Sequence, residues 1–266
     1  MRYPAVGSPG GLTTENATPL RSRGPYPLVM FSQGFDISPE AYFSLLNAWA
    51  AAGYVVADPA YPFTSPGALG GVVRTDIVHH PRDMSFVISS LLAANSTTGQ
   101  LLSSLINGRE IAAIGQSDGG DVTLAATNNS CCRDRRIKAA VILSGAELSW
   151  FPGTYFSGPG VPLLVVQGTR DFVMNPIECS IQLYDGAPAP KYYLAMIGQT
   201  HLSAYIPPGP DQRLVTHVTI DFLNGYLRHS AQSLVAMTTL VRSSRLATIT
   251  SQPTLSSVSG GCLGAP

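Results

Sequence analysis

The chain has 266 residues, 45% hydrophobic and only 12% charged, with 16 basic against 16 acidic side chains. That balance excludes a disordered polyelectrolyte and a basic nucleic-acid binder, and favours small, weakly charged partners. The longest apolar runs, such as 45–52 and 161–166, fall far short of the roughly 20 residues of a membrane helix, so no membrane span is expected.

Residues 1–27 are rich in Pro, Gly, Ser and Thr and read as an extended lead-in with one short edge strand at most. Residues 28–32 (Leu-Val-Met-Phe-Ser) read as a buried strand, and 33–36 as the turn leaving it. A helix over 39–52 follows, with Ser38 as N-cap, Pro39 in the first turn and Gly53 at its end. Tyr42, Leu45, Leu46 and Trp49 recur along it at helical spacing. The next strand is 54–58, and strand, helix and strand in so short a stretch make a βαβ unit and a parallel sheet. The Pro- and Gly-rich stretch 59–76 reads as a long loop beyond a strand end, a place from which ligand contacts come. Helices are expected over 81–94 and, shorter, over 99–106, before Asn107-Gly108 turns the chain.

The apolar run that follows stops at Gly115, and Gly115-Gln116-Ser117-Asp118-Gly119 leads into a helical stretch from Asp121. Strand, tight turn and helix around a central serine make a nucleophile elbow, in which small residues two before and two after the serine let strand and helix pass closely. Strands over 137–144, 161–167 and 191–196 and helices over 176–184, 212–228 and 234–246 complete the pattern. The loop 147–159 carries Trp150, Phe151, Tyr155 and Phe156, which either pack on one another or wall a substrate site. Strand and helix alternate from 28 to 228 without repeat or linker, so a single α/β domain over 1–266 is expected, with its core at 28–229 and a C-terminal helix and Ser/Thr/Gly tail at 230–266.

A serine hydroxyl needs a base in contact and a carboxylate to orient that base. In a sheet wound this way the acid and then the histidine sit past the ends of later strands. Asp171 follows the strand 161–167 and His201 follows 191–196. Glu178 and Asp185 are rival acids that fall in or after a helix. His79 and His80 lie before a helix, His217 and His229 on or beside the closing one, which leaves His201 as the base. No His/Asp/Glu cluster accompanies His79-His80, so no metal is expected. The oxyanion would be bound by the backbone N–H groups of Phe35 and Asp118. The Asp118 carboxylate is unwelcome beside a developing negative charge, and is expected to point along the helix or to cap N–H groups there.

Cys131, Cys132, Cys179 and Cys262 lack zinc-ligand spacing. A bridge between Cys131 and Cys132 would join Cα atoms only about 3.8 Å apart, so each is expected to reach Cys179 or Cys262, unless all four are free thiols. The low charge and a cysteine close to the C-terminus favour a secreted, oxidised protein. The absence of a hydrophobic signal region at Met1-Arg2-Tyr3-Pro4 fits either a mature secreted chain or a cytoplasmic one.

Over about 26–229 the sequence resembles the α/β-hydrolase superfamily, within it the branch of cutinase-like polyester hydrolases, chlorophyllase-like esterases and dienelactone-hydrolase-like proteins. The resemblance rests on 27–35, 51–56, 115–120, 168–171 and His201. It implies a mostly parallel sheet of about eight strands without a separate lid domain, and a two-step acyl-enzyme mechanism without a cofactor, run by Ser117, Asp171 and His201. Such proteins often carry His where Gln33 stands, His or Trp at Gln116, and, in polyester hydrolases, Met at Asp118. A serine at 117 argues against dienelactone hydrolase chemistry. The expected function is a monomeric serine carboxylic-ester hydrolase acting on hydrophobic or bulky esters, polyesters included. An acyltransferase or a non-catalytic binding protein on the same fold is the alternative.

Overall fold

Successive residues of a strand point to opposite faces of its sheet, and in β1 (Tyr26–Ser32) both faces are buried. Val29 and Phe31 join Leu45, Leu46, Trp49 and Phe222 on one side, whereas Leu28 and Met30 join Met84, Ile88 and Ile111 on the other. Two-sided burial explains why the strands read as continuous apolar runs instead of alternating ones. A computed structural model describes residues 1–7, 13–172, 175–255 and 262, and gives a seven-stranded sheet in the order β2-β1-β3-β4-β5-β6-β7. Its strands after β1 are β2 (Val55–Ala57), β3 (Ile106–Gln116), β4 (Ile137–Leu143), β5 (Leu163–Gly168), β6 (Lys191–Met196) and β7 (Ala247–Thr250). All pairs are parallel except β6 with β7.

One face carries α1 (Phe43–Ala51), α5 (Pro210–Leu227) and α6 (Ala231–Ser243); the other carries α2 (His80–Ser96), α3 (Asp118–Asn128) and α4 (Ile177–Gly186). The chain runs outward from β1 to β2 and then returns to β3 on the far side of β1. The strand order therefore reverses between β1 and β3, which opens a crevice at their C-terminal ends. The 33–36 turn and the Ser117 elbow both fall there.

The sheet corrects the expected count of about eight strands to seven among the described residues. The last of them, β7, was not expected. It pairs antiparallel with β6, aligning Met196 with Ala247 and Tyr193 with Thr250, and so covers an edge that β6 would otherwise expose. The expected helix over 39–52 divides into a 3-10 turn, Pro39–Tyr42, and α1, and Ser38 makes no side-chain cap. No helix forms over 99–106. Gly99 and Ser104 adopt positive φ, and the Asn95 carboxamide binds both N–H and C=O of Ile106, which already starts β3. Asn107-Gly108 accordingly sits inside β3, where its pairing with β1 loses register.

The cysteine pairing also differs. Cys131 bridges Cys132, with Cα atoms 3.8 Å apart, and Cys179 bridges Cys262, with Cα atoms 4.5 Å apart. Cys131 and Cys132 lie in the turn after α3, where both backbone N–H groups are held by Asn129. Cys179 is on α4, and the Cys262 N–H donates to Gln182 on that same helix, so the two pairs sit on different elements. Residues 256–261 and 263–266 of the expected C-terminal tail lie outside the described residues.

Candidate active site

Ser117 follows β3 directly and is the N-cap of α3, with φ +57° and ψ −128°, a positive-φ conformation that costs a non-glycine residue energy and turns the strand into the helix at once. The flanking glycines are required by contact. A Cβ on Gly115 would overlap the Gly119 carbonyl and lie 2.6 Å from Thr123 Oγ1, and one on Gly119 would overlap the Ser32 carbonyl of β1. The elbow expected from the sequence is therefore present in geometry, and α3 begins at Asp118, three residues earlier than the sequence pattern indicates.

His201 and Asp171 meet Ser117 at that point. His201 Nε2 lies 2.7 Å from Ser117 Oγ, and its Nδ1 lies 2.7 Å from Asp171 Oδ2. The Asp171 side chain is 1% exposed and that of His201 12%, so a partly exposed imidazole links a buried acid to Ser117, itself 9% exposed. Asp171 also accepts from Gln167 Nε2 at 3.2 Å and from the Asn175 N–H at 3.3 Å, which fixes both carboxylate oxygens. The loop carrying His201 crosses the end of β5 so closely that a Cβ on Gly168 would overlap the Gln199 carbonyl.

The β1 turn packs on Ser117. A Cβ built on Gly34 would stand 3.3 Å from Ser117 Cβ and 2.7 Å from Gln116 Oε1. The N–H of Gly34 donates to the Tyr42 hydroxyl, but neither the N–H of Phe35 nor that of Asp118 has a hydrogen-bond partner among the described residues. Unpaired backbone donors next to Ser117 in sequence and in the turn that packs on it are of the kind that can bind an oxyanion.

Sequence reasoning missed the frame around these residues. Tyr42 donates to Gln116 Oε1 at 2.6 Å, and Gln116 Nε2 donates to the His201 carbonyl at 3.1 Å. Asn175 Nδ2 donates to the Ser144 carbonyl, and Ser144 Oγ lies 2.8 Å from the Tyr205 hydroxyl, tying the ends of β4 and β5 to the His201 loop. Asp118 makes no capping hydrogen bond to α3 among the described residues. It takes a two-pronged ion pair from Arg74, with Nε 2.8 Å from Oδ2 and Nη2 2.7 Å from Oδ1. Arg74 in turn lies 5.4 Å from the Trp150 ring centroid. The charge of Asp118 beside Ser117 was the sequence signal that a cation should be sought.

In the aromatic loop after β4, Phe151 and Tyr155 pack into the core, whereas Trp150 stays exposed over Arg74. Phe63, Leu69 and Val73 after β2 and Phe172 after β5 are likewise exposed. A separate groove of about 420 Å³, bordered by Pro4, Arg23, Tyr26, Gly53 and Arg228, lies at the other end of β1. No group of three or more His, Cys, Asp or Glu suited to a metal occurs among the described residues, and no described helix is long and apolar enough to cross a membrane. The chain matches no protein-family model and no curated protein.

Proposed function

We propose that the chain is a serine carboxylic-ester hydrolase of the α/β-hydrolase type. The observation that carries the reading is the continuous contact of Ser117 Oγ, His201 and Asp171, at 2.7 Å on each side of the imidazole. Ser117 Oγ attacks the ester carbonyl as its proton passes to His201 Nε2, and Asp171 holds the imidazole in the required tautomer through Nδ1–H. The carbonyl oxygen, now negative, accepts from the N–H groups of Phe35 and Asp118. His201 then protonates the departing alcohol, activates a water against the acyl-serine, and returns the proton to Ser117 as the acid leaves.

The exposed apolar side chains on loops at the same end of the parallel sheet, Phe63, Leu69, Val73, Trp150 and Phe172, support hydrophobic or bulky esters as substrates, polyesters among them. The two disulfides support an oxidising, extracellular location.

The test is hydrolysis of p-nitrophenyl esters from acetate to palmitate, with a polyester film in parallel. Ser117→Ala is expected to lose activity by about 10⁶-fold, the scale of removing a triad nucleophile. The acyl-length profile and any soluble film products then separate a polyester hydrolase from a small-ester enzyme. A wild-type protein inactive on every ester sinks the reading.

A further inference from the structure

We propose that Arg74 is a positioning residue for the oxyanion site: it holds the Asp118 carboxylate away from the developing negative charge and cancels that carboxylate's field. The inference rests on the esterase reading above.

Asp118 presents two groups of opposite consequence to one small volume. Its N–H, directly after Ser117, is unpaired among the described residues, while its carboxylate carbon, three bonds from that nitrogen, lies within about 4 Å of it by covalent geometry. Left alone, that charge would oppose the oxyanion that the N–H stabilises. At roughly 5 Å and an intermediate effective dielectric, such repulsion corresponds to about a hundredfold in rate.

The surroundings leave Arg74 to offset it. On α3 itself, Asp121 is fully buried and its carboxyl is pushed well above the usual range, first by burial and then by Asp118, so it brings no cation. His80 on α2 is lowered to about 4, chiefly by burial, and is neutral near pH 7. His201 is engaged with Ser117 Oγ and Asp171 and, in the esterase reading, is the base. Arg74 makes two hydrogen bonds, one to each carboxylate oxygen, so the carboxylate cannot swing back towards the site without breaking both. The Trp150 ring packs over the guanidinium and restricts its movement. Arg74 reaches this position from the 3-10 helix Arg74–His79, at the end of the long loop after β2.

The test compares wild type, Arg74→Met, Arg74→Lys and the double variant Arg74→Met/Asp118→Asn on p-nitrophenyl butyrate, with melting temperatures and pH profiles for each. Arg74→Met is expected to lower kcat by about ten- to a hundredfold with KM changed by less than about threefold. It should also move the acid limb of kcat/KM to higher pH, because an unpaired carboxylate favours the imidazolium. Arg74→Lys should recover part of the loss, and the double variant most of it, since removing the carboxylate's charge removes the need for the cation. A merely structural Arg74 would leave the double variant no better than Arg74→Met, with both melting temperatures lowered and the pH profile unmoved; that result overturns the inference. So does an active wild type with Arg74→Met within twofold of it, which leaves the esterase reading intact. A wild type without ester hydrolysis removes that reading and this inference together.

Discussion

Gln116 Nε2 donates to the backbone carbonyl of His201 over 3.1 Å, so the residue before Ser117 ties down the loop that carries His201. The same carboxamide accepts from Tyr42 at 2.6 Å, and Gln116 is fully buried. Gln116→Leu keeps the volume but leaves the Tyr42 hydroxyl and the His201 carbonyl without this partner. Stability should fall by about 1–3 kcal/mol, the cost of unmet buried polar groups. Ester hydrolysis should fall by about 10- to 100-fold through kcat, because small displacements of a base are costly. Denaturant melts alongside steady-state kinetics check this; unchanged kcat would show that the His201 loop holds its place without Gln116.

The elbow glycines make a sterically sharper prediction. A Cβ on Gly119 meets the carbonyl carbon and oxygen of Ser32, which are backbone of the buried strand β1 and have no flexible side chain to give way. Gly119→Ala should therefore destabilise by about 3 kcal/mol or more and abolish esterase activity by parting α3 from β1. Gly209 has nothing within 4 Å of an added Cβ and an extended φ of 178°, so Gly209→Ala should cost under about 1 kcal/mol. Comparable losses in the two variants would defeat the packing argument.

The legibility of this chain follows the same physics. Val55, Val56, Val165 and Val166 were readable as buried strands because strands covered on both faces are apolar throughout. Ser117, Asp171 and His201 were readable because an elbow needs Gly115 and Gly119 locally, and the partners must follow later strand ends. Arg74, Gln116 and Asn175 were not readable, since each acts on a residue 44, 85 or 31 positions away, and nothing local marks such contacts. β7 was missed for a related reason: its short run Ala247–Thr250 becomes a strand only because β6 offers an unpaired edge. The vicinal Cys131–Cys132 bridge was misread because chain geometry alone made distant partners look easier.

His80 predicts an acid-sensitive component of stability. It is 3% exposed, stacks on Tyr61 with ring centroids 3.7 Å apart, and is lowered to about 4, mainly by burial and against the attraction of Asp76. Its native value lies below the unfolded value of about 6.5, so the unfolded chain binds the extra proton first. The stability it contributes is complete above about pH 6.5 and is lost as pH falls towards 4. His80→Phe, which keeps a ring on Tyr61, should flatten this window by up to about 3 kcal/mol. Urea melts at pH 4.5 and 7 read the difference; equal slopes for both proteins would show that His80 accepts its proton without cost.

Asp121 acts in the opposite direction. Its Oδ1 accepts from the Ala146 N–H at 2.6 Å, but its Oδ2 is buried with no hydrogen-bond partner, and burial raises its carboxyl well above the ordinary range. The native state therefore keeps this proton to higher pH than the unfolded chain does. Stability from this group is complete below about pH 4 and declines as pH rises through the raised native value. Asn is a fair copy of the neutral acid, because its Oδ1 can still accept from Ala146 while its amide is left no worse partnered than the carboxyl. Asp121→Asn should thus match wild type near pH 4.5 and exceed it by more than about 1 kcal/mol at pH 8. The measurement is the difference in unfolding free energy at the two pH values. A gap that does not widen with pH would mean that Asp121 ionises in the folded protein at no cost, with Arg74 then compensating two carboxylates instead of one.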